Sequence, residues 1–124
     1  MSASPGNPQL FAAIANEGSA ARVKLVGPNF GEREGPIVVS MIESHLDEHG
    51  SAVKTVVLDF TDVEFINSSG LGSCVTIHRN STARKNKVAL FNLSKPLLEV
   101  FKMTHLHKLF KVVDSDKALA KLTS

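Results

Sequence analysis

The chain has 124 residues, of which 43% are hydrophobic and 21% are charged, and its formal net charge is +2. This length and apolar content fit one folded domain, and so small a net charge gives no electrostatic reason to expect nucleic-acid binding. A single cysteine, Cys74, excludes an internal disulfide. No apolar run reaches the roughly 18 residues of a membrane helix, and no signal peptide opens the chain. We therefore expect a cytoplasmic protein with neither nucleic acid nor a membrane as a direct partner.

Hydrophobic spacing and turn residues divide the chain into alternating strands and helices. Apolar residues at alternate positions predict strands, apolar residues at every third or fourth position predict helices, and clusters of glycine, proline and polar residues mark loops. In chain order the predictions are a disordered segment over 1–8, a hairpin from 10–15 and 21–26, a loop over 27–35, a helix from Pro36 to about Gly50, a buried strand over 53–60, a helix over 68–83, a strand over 88–93, a helix over 96–103, a strand over 109–113 and a final helix over 117–122. This order favours an α/β fold, with a single domain over 9–124 and a mixed sheet against which the helices pack.

Two of the predicted helices have a recognisable apolar face. The spacing of their hydrophobic residues indicates which side faces the core, and Cys74 falls on such a face as a small buried residue rather than a nucleophile. The predicted buried positions are Ile37, Met41 and Ile42, with His45 and Leu46 as further candidates, in the first helix, and Leu71, Cys74, Val75 and His78 in the second.

The functional prediction depends on the stretch from Asp59 to Gly72, which reads DFTDVEFINSSGLG. A buried strand leads through a short loop into a helix, and Asn67 is a preferred N-cap residue because its side-chain oxygen can accept a backbone N–H that the first turn leaves unpaired. Ser68 and Ser69 then lie in the first turn. Most polar residues at this position only cap the helix. A hydroxyl there also suits phosphate chemistry, because the helix N-terminus stabilises an anion and a phosphoryl group adds roughly −1.5 to −2 charges.

The residues DF at 59–60 and VEFINSSGLG at 63–72 resemble the STAS domain, and within it the bacterial anti-sigma factor antagonists. In that family a short strand ends in Asp-Ser-(Ser/Thr)-Gly-Leu-Gly at a helix start. The run LLEVFKMTHLHKLF at 97–110 is similar to the C-terminal segment of the family. The resemblance extends from about Phe11 to Leu122, with Asn67 where the family usually has Asp and His105 where Gly is common.

The loop over 27–35 departs from the resemblance. In the family this region holds a Gly-x-Leu-Asp segment whose acid lies near the phosphorylated serine. Here the sequence reads GPNFGEREG, so the acid has no direct counterpart. Glu32 and Glu34 are candidates for it only because they are close in sequence.

The resemblance implies a binding module rather than an enzyme. It implies an anti-sigma factor antagonist that regulates transcription by partner switching, binding an anti-sigma factor with serine kinase activity until that kinase phosphorylates Ser68. By the same resemblance, Asn67, Ser69, Gly70 and Leu71 bind the partner. Asn67 and the altered loop leave an alternative open, which is a non-phosphorylated STAS regulatory or scaffold subunit of a transporter or signalling complex.

Other chemistry has little support in the sequence. His45 and His49 are four residues apart, which places both on one helix face, but neither lies in HExxH, and Ser68 is not in GxSxG. We predict no catalytic residue, metal site or cofactor. The densest basic cluster is interpreted as the solvated end of a helix and consists of Arg79, Arg84, Lys85 and Lys87.

Overall fold

The computed structural model describes residues 10–123, so the segment 1–8 that we predicted to be disordered lies outside the described residues. Within these described residues, seven strands and four α-helices follow one another in an order close to the predicted one. The strands are β1 (Ala12–Glu17), β2 (Ala20–Leu25), β3 (Asn29–Phe30), β4 (Thr55–Asp59), β5 (Phe65–Ile66), β6 (Lys87–Phe91) and β7 (Lys111–Val113). The helices are α1 (Glu34–His49), α2 (Ser68–Ala83), α3 (Lys95–Met103) and α4 (Asp116–Thr123).

Five strands form the main sheet, in the order β1-β2-β4-β6-β7. β1 and β2 are antiparallel, with Ala12 opposite Leu25, which confirms the predicted hairpin. The pairs β2–β4, β4–β6 and β6–β7 are parallel. The mixed sheet predicted from the alternation of strands and helices is therefore confirmed. Because each helix follows a parallel strand, the N-termini of the helices gather at the edge where these strands end.

The interpretation of 27–35 as a continuous loop was wrong in two respects. Glu34 and Gly35 already belong to α1. Asn29 and Phe30 form β3, which pairs in parallel with β5 as a separate two-stranded sheet. A two-residue strand has no readable hydrophobic period, and its partner lies more than thirty positions away, so local pattern could not reveal it. This small sheet connects the segment before α1 to the segment before α2.

The helices lie on both faces of the main sheet. On one face, α1, α2 and α3 bury residues such as Ile42, Ile77 and Phe101 in the larger core. On the other face, α4 packs Leu119 into a smaller cluster around Phe91. β4 is buried along its whole length, as expected for a central strand with helices on both sides.

The buried faces of α1 and α2 are rotated slightly from the predicted ones. Ile42, Leu46 and Cys74 are buried as predicted, whereas the other predicted positions are only half-buried. The missed buried positions are Gly35 and Val38 in α1, and Gly70, Ile77 and Ser81 in α2. Val38 and Ile77 were missed because the predicted stripes lay one residue to the side of the buried ones. The glycines and the serine were missed for another reason, which is close helix contact: a Cβ at Gly35 would lie 2.1 Å from Oγ of Ser73. Hydrophobic periodicity overlooks glycine and serine, although small residues let helices approach closely.

Candidate functional site

Asn67 caps the N-terminus of α2 as the sequence predicted. Its backbone is extended, with φ −115° and ψ −175°, and its side-chain Oδ1 accepts a hydrogen bond from the backbone N–H of Gly70 at 2.9 Å. Ser68 is the first residue of the helix, and the side chains of Ser68 and Ser69 are exposed. The geometry therefore presents two hydroxyl groups to solvent at the positive end of a helix dipole.

The other end of the Asn67 amide is also engaged. Its Nδ2 donates a hydrogen bond to Oε2 of Glu32 at 2.8 Å. Glu34, the second candidate acid, instead accepts a hydrogen bond from the backbone N–H of Gly31 at 2.9 Å. Of the two acids, only Glu32 thus reaches the cap of α2. An amide at position 67 suits this arrangement, because it can accept from the helix and donate to the carboxylate at the same time.

Two glycines allow the loop before α1 to lie directly against the first turn of α2. A Cβ at Gly70 would lie 2.0 Å from the carbonyl oxygen of Phe30, and one at Gly31 would lie 2.8 Å from Nδ2 of Asn67. Gly70 is buried, and Leu71 is half-buried against the larger core. Within the segment that the resemblance assigns to partner binding, the exposed side chains are therefore those of Asn67 and Ser69, beside Ser68.

A shallow depression of about 350 Å³ adjoins the cap. Its lining is β3, β5 and the connecting residues that carry Glu32 and Arg33, and it ends at Asn67. Phe65 also lines it, with 62% of its surface exposed. Exposed aromatic residues are common in protein–protein interfaces. Sequence reasoning placed Phe65 in the short loop before α2 and did not identify it as a surface residue.

Asp59 is the first residue of the sequence motif, but it is buried and its carboxylate bonds to other residues of the chain. It accepts hydrogen bonds from Nε and Nη2 of Arg22, at 3.2 and 3.0 Å, and from the backbone N–H and hydroxyl of Thr61. Burial alone would raise the pKa of Asp59, but the hydrogen bonds from Thr61 and the Arg22 guanidinium outweigh it and hold the pKa below its ordinary value. The group therefore fastens β2 to β4 and shapes the turn that leads to the site.

Cys74 and the two histidines of α1 take part in the packing and hydrogen bonding of the fold. Cys74 is buried, and this burial raises the pKa of its thiol to about 12, so it is not a reactive thiolate. The rings of His45 and His49 lie 4.3 Å apart, and Nε2 of His45 is hydrogen-bonded to Oδ1 of Asn16 at 2.8 Å. Within residues 10–123, no group of three or more histidine, cysteine, aspartate or glutamate side chains is placed to hold a metal ion.

The fold described above is the STAS fold. The STAS domain family matches residues 15–118, and the chain belongs to that family. In the part of the chain that is described, no helix combines the length and the apolar character needed to cross a membrane.

Solved structures with the same fold come from several kinds of protein. An anti-sigma-factor antagonist (STAS) domain protein from Planctomyces limnophilus has a TM-score of 0.79 and 20% identity, over 91% of this chain and 98% of that one. The Bacillus cell fate determinant SpoIIAA, in its phosphorylated form, has a TM-score of 0.67 and 19% identity, over 90% of this chain and 98% of that one. Murine solute carrier 26 family member A9, an anion transporter, has a TM-score of 0.75 and 13% identity, over 88% of this chain and 18% of that one. At these identities the similarity concerns the fold.

Proposed function

We propose that this protein is an anti-sigma factor antagonist that binds an anti-sigma factor with serine kinase activity, and that the kinase phosphorylates Ser68. The observation that carries the proposal is the exposed Ser68 in the first turn of α2, immediately after the Asn67 cap. Membership of the STAS family and the fold shared with SpoIIAA, which is known in a phosphorylated form, support it. Ser68 is preferred to Ser69 because in the family resemblance the modified residue directly follows the capping position.

The unmodified surface suits a protein partner. It combines the small polar side chains of Asn67, Ser68 and Ser69 with the exposed ring of Phe65, while the depression beside it contributes Glu32. Small side chains let another backbone approach closely, and an exposed aromatic ring supplies apolar area. A partner that covers this surface removes the Ser68 hydroxyl from water.

Phosphorylation of Ser68 changes that surface by charge. The phosphoryl group adds roughly −1.5 to −2 charges, and the helix N-terminus stabilises it locally, so the helix itself does not melt. The neighbouring residue, Asn67, already lies 2.8 Å from the carboxylate of Glu32. A second anion beside that carboxylate in a desolvated interface costs binding free energy, so the phosphorylated protein dissociates from its partner.

One observation favours a second candidate, a STAS subunit that is not phosphorylated. The capping residue is an amide whose donor and acceptor are both satisfied within the chain, by Glu32 and by Gly70. A kinase that recognises a carboxylate at this position would not find it on Asn67. The fold shared with part of an anion transporter is compatible with a role as a fixed subunit of a transporter or signalling complex.

Affinity purification from the organism's own cells distinguishes the two. Tagged wild type, Ser68→Ala, Ser68→Glu and the control Ser51→Ala, at an exposed serine just after α1, are captured, and partners and phosphopeptides are identified by mass spectrometry. We expect an anti-sigma factor with wild type, Ser68→Ala and Ser51→Ala, its loss with Ser68→Glu, and phosphate on Ser68 in wild type. A transporter or scaffold captured equally by all four proteins, with no phosphate on Ser68, would establish the second candidate instead.

A further inference from the structure

Lysine side chains from separate elements meet at the end of the protein opposite Ser68. Lys87 begins β6, Lys111 begins β7, and Lys108 lies just before β7. All three line a single depression of about 300 Å³, together with Thr82 in the last turns of α2. None of the residues that line it is acidic. Because Ser68 is at the other end of α2, the two surfaces are separated by nearly the length of that helix.

The structure divides the basic cluster seen in the sequence into paired and unpaired charges. Arg84 forms ion pairs with Glu43 and Asp47, at 3.1 and 2.6 Å, so its charge is already compensated. Among residues 10–123, no carboxylate forms an ion pair with Lys87, Lys108 or Lys111. Lys54 is also exposed, and its backbone carbonyl oxygen accepts the backbone N–H of Lys87 at 3.0 Å. This end of the protein therefore carries a local positive charge that local sequence does not reveal.

An exposed aliphatic side chain accompanies these lysines. Leu109 lines the same depression and has 44% of its surface exposed. Unpaired ammonium groups around an exposed aliphatic side chain fit an anionic lipid surface, where the cations meet headgroups and the aliphatic group enters the acyl boundary. A single-stranded nucleic acid would instead favour exposed aromatic side chains, whereas the two rings in this lining, those of His78 and Phe110, are half-buried and buried.

We propose that this basic end, defined by Lys87, Lys108, Leu109 and Lys111, binds the surface of membranes that contain anionic phospholipids. The proposal goes beyond the phosphorylation of Ser68 and does not depend on it. It also departs from the expectation, based on net charge and on the absence of a long apolar run, that no membrane is involved. Each lysine near an anionic surface strengthens binding roughly fivefold, so neutralising three of them weakens it by roughly 100-fold. Binding of this kind is weak, reversible and reduced by salt.

Sedimentation with phospholipid vesicles tests the proposal on the full chain. We expect binding to vesicles of phosphatidylcholine mixed with phosphatidylglycerol, little binding to phosphatidylcholine alone, and loss of binding at high salt. The variant Lys87→Gln/Lys108→Gln/Lys111→Gln should lower the partition coefficient by roughly 100-fold. Leu109→Ser should lower it by a smaller factor without changing the charge. Circular dichroism confirms that each variant remains folded.

The matched control is Lys24→Gln/Lys95→Gln/Lys117→Gln. It removes the same charge at the opposite edge, where β2 ends and α3 and α4 begin, and should bind vesicles like wild type. Equal losses in the two triple variants would mean that only net charge matters, and would overturn the proposal. The proposal would also be overturned if wild type did not bind phosphatidylglycerol vesicles. It would be overturned too if this end bound inorganic phosphate or a polyglutamate peptide but no vesicle.

Discussion

Replacing Asn67 with aspartate tests the contact that joins the first turn of α2 to the loop before α1. Aspartate caps a helix as well as asparagine does, so the bond from the backbone N–H of Gly70 is retained. The donor that faces Glu32 across 2.8 Å, however, becomes a carboxylate oxygen. Two unit charges at that separation repel by about 1.5 kcal/mol at the dielectric constant of water, which applies because both side chains are exposed. With the lost hydrogen bond, the free energy of unfolding should fall by about 2 kcal/mol.

The assay is thermal unfolding followed by circular dichroism at pH 7. At roughly 4 °C per kcal/mol for a chain of this size, Asn67→Asp should lower the Tm by about 8 °C. The double variant Glu32→Gln/Asn67→Asp exchanges amide and carboxylate, so a hydrogen bond forms again in the opposite direction and most of the loss should be recovered.

Two results would refute this reasoning. One is an Asn67→Asp protein as stable as wild type at pH 7. The other is a double variant that loses the sum of the single losses, because side chains that do not touch have independent effects on the free energy of unfolding. In either case Glu32 does not contact the cap of α2. Repulsion between Glu32 and a phosphoryl group on Ser68 would then no longer explain how phosphorylation releases the partner.

Three further predictions follow from the packing. Gly70→Ala should lower the free energy of unfolding by about 2 kcal/mol, because the new Cβ would lie 2.0 Å from the Phe30 carbonyl oxygen. Gly72→Ala is the control: a Cβ there has nothing within 4 Å, so this variant should be as stable as wild type or more stable. Urea unfolding measures both. Asp59→Asn should cost about 2 kcal/mol at pH 7. Because the pKa of Asp59 is below its ordinary 3.8, its stabilisation is present above that pH and is lost as the pH falls through the lowered pKa, so the variant should show a flatter decline of stability in acid. Native Cys74 should resist iodoacetamide at pH 8 and react after unfolding, as mass spectrometry would show, because its thiol pKa is about 12.

The sequence predicts those parts of this fold that depend on local pattern. α2 begins at Ser68 and ends at Ala83 as predicted, because its N-cap and its apolar repeat both lie within one short stretch. The contact from Glu32 to Asn67 could not be predicted, since the two residues are 35 positions apart and one of them lies in a loop. Local pattern also cannot show which glycines a neighbouring backbone will cover, as Phe30 covers Gly70. The sequence therefore predicted the helix that carries the candidate site, but not the contact with the loop before α1.

The length of α2 sets the distance between Ser68 and the basic end of the protein. Its 16 residues span about 24 Å from Ser68 to Ala83. A molecule resting on a lipid bilayer by its basic end would point the start of this helix into the surrounding water, at a standoff of about that length. The proposed kinase partner would then bind a surface that the membrane leaves exposed, so the two proposed interactions would not compete.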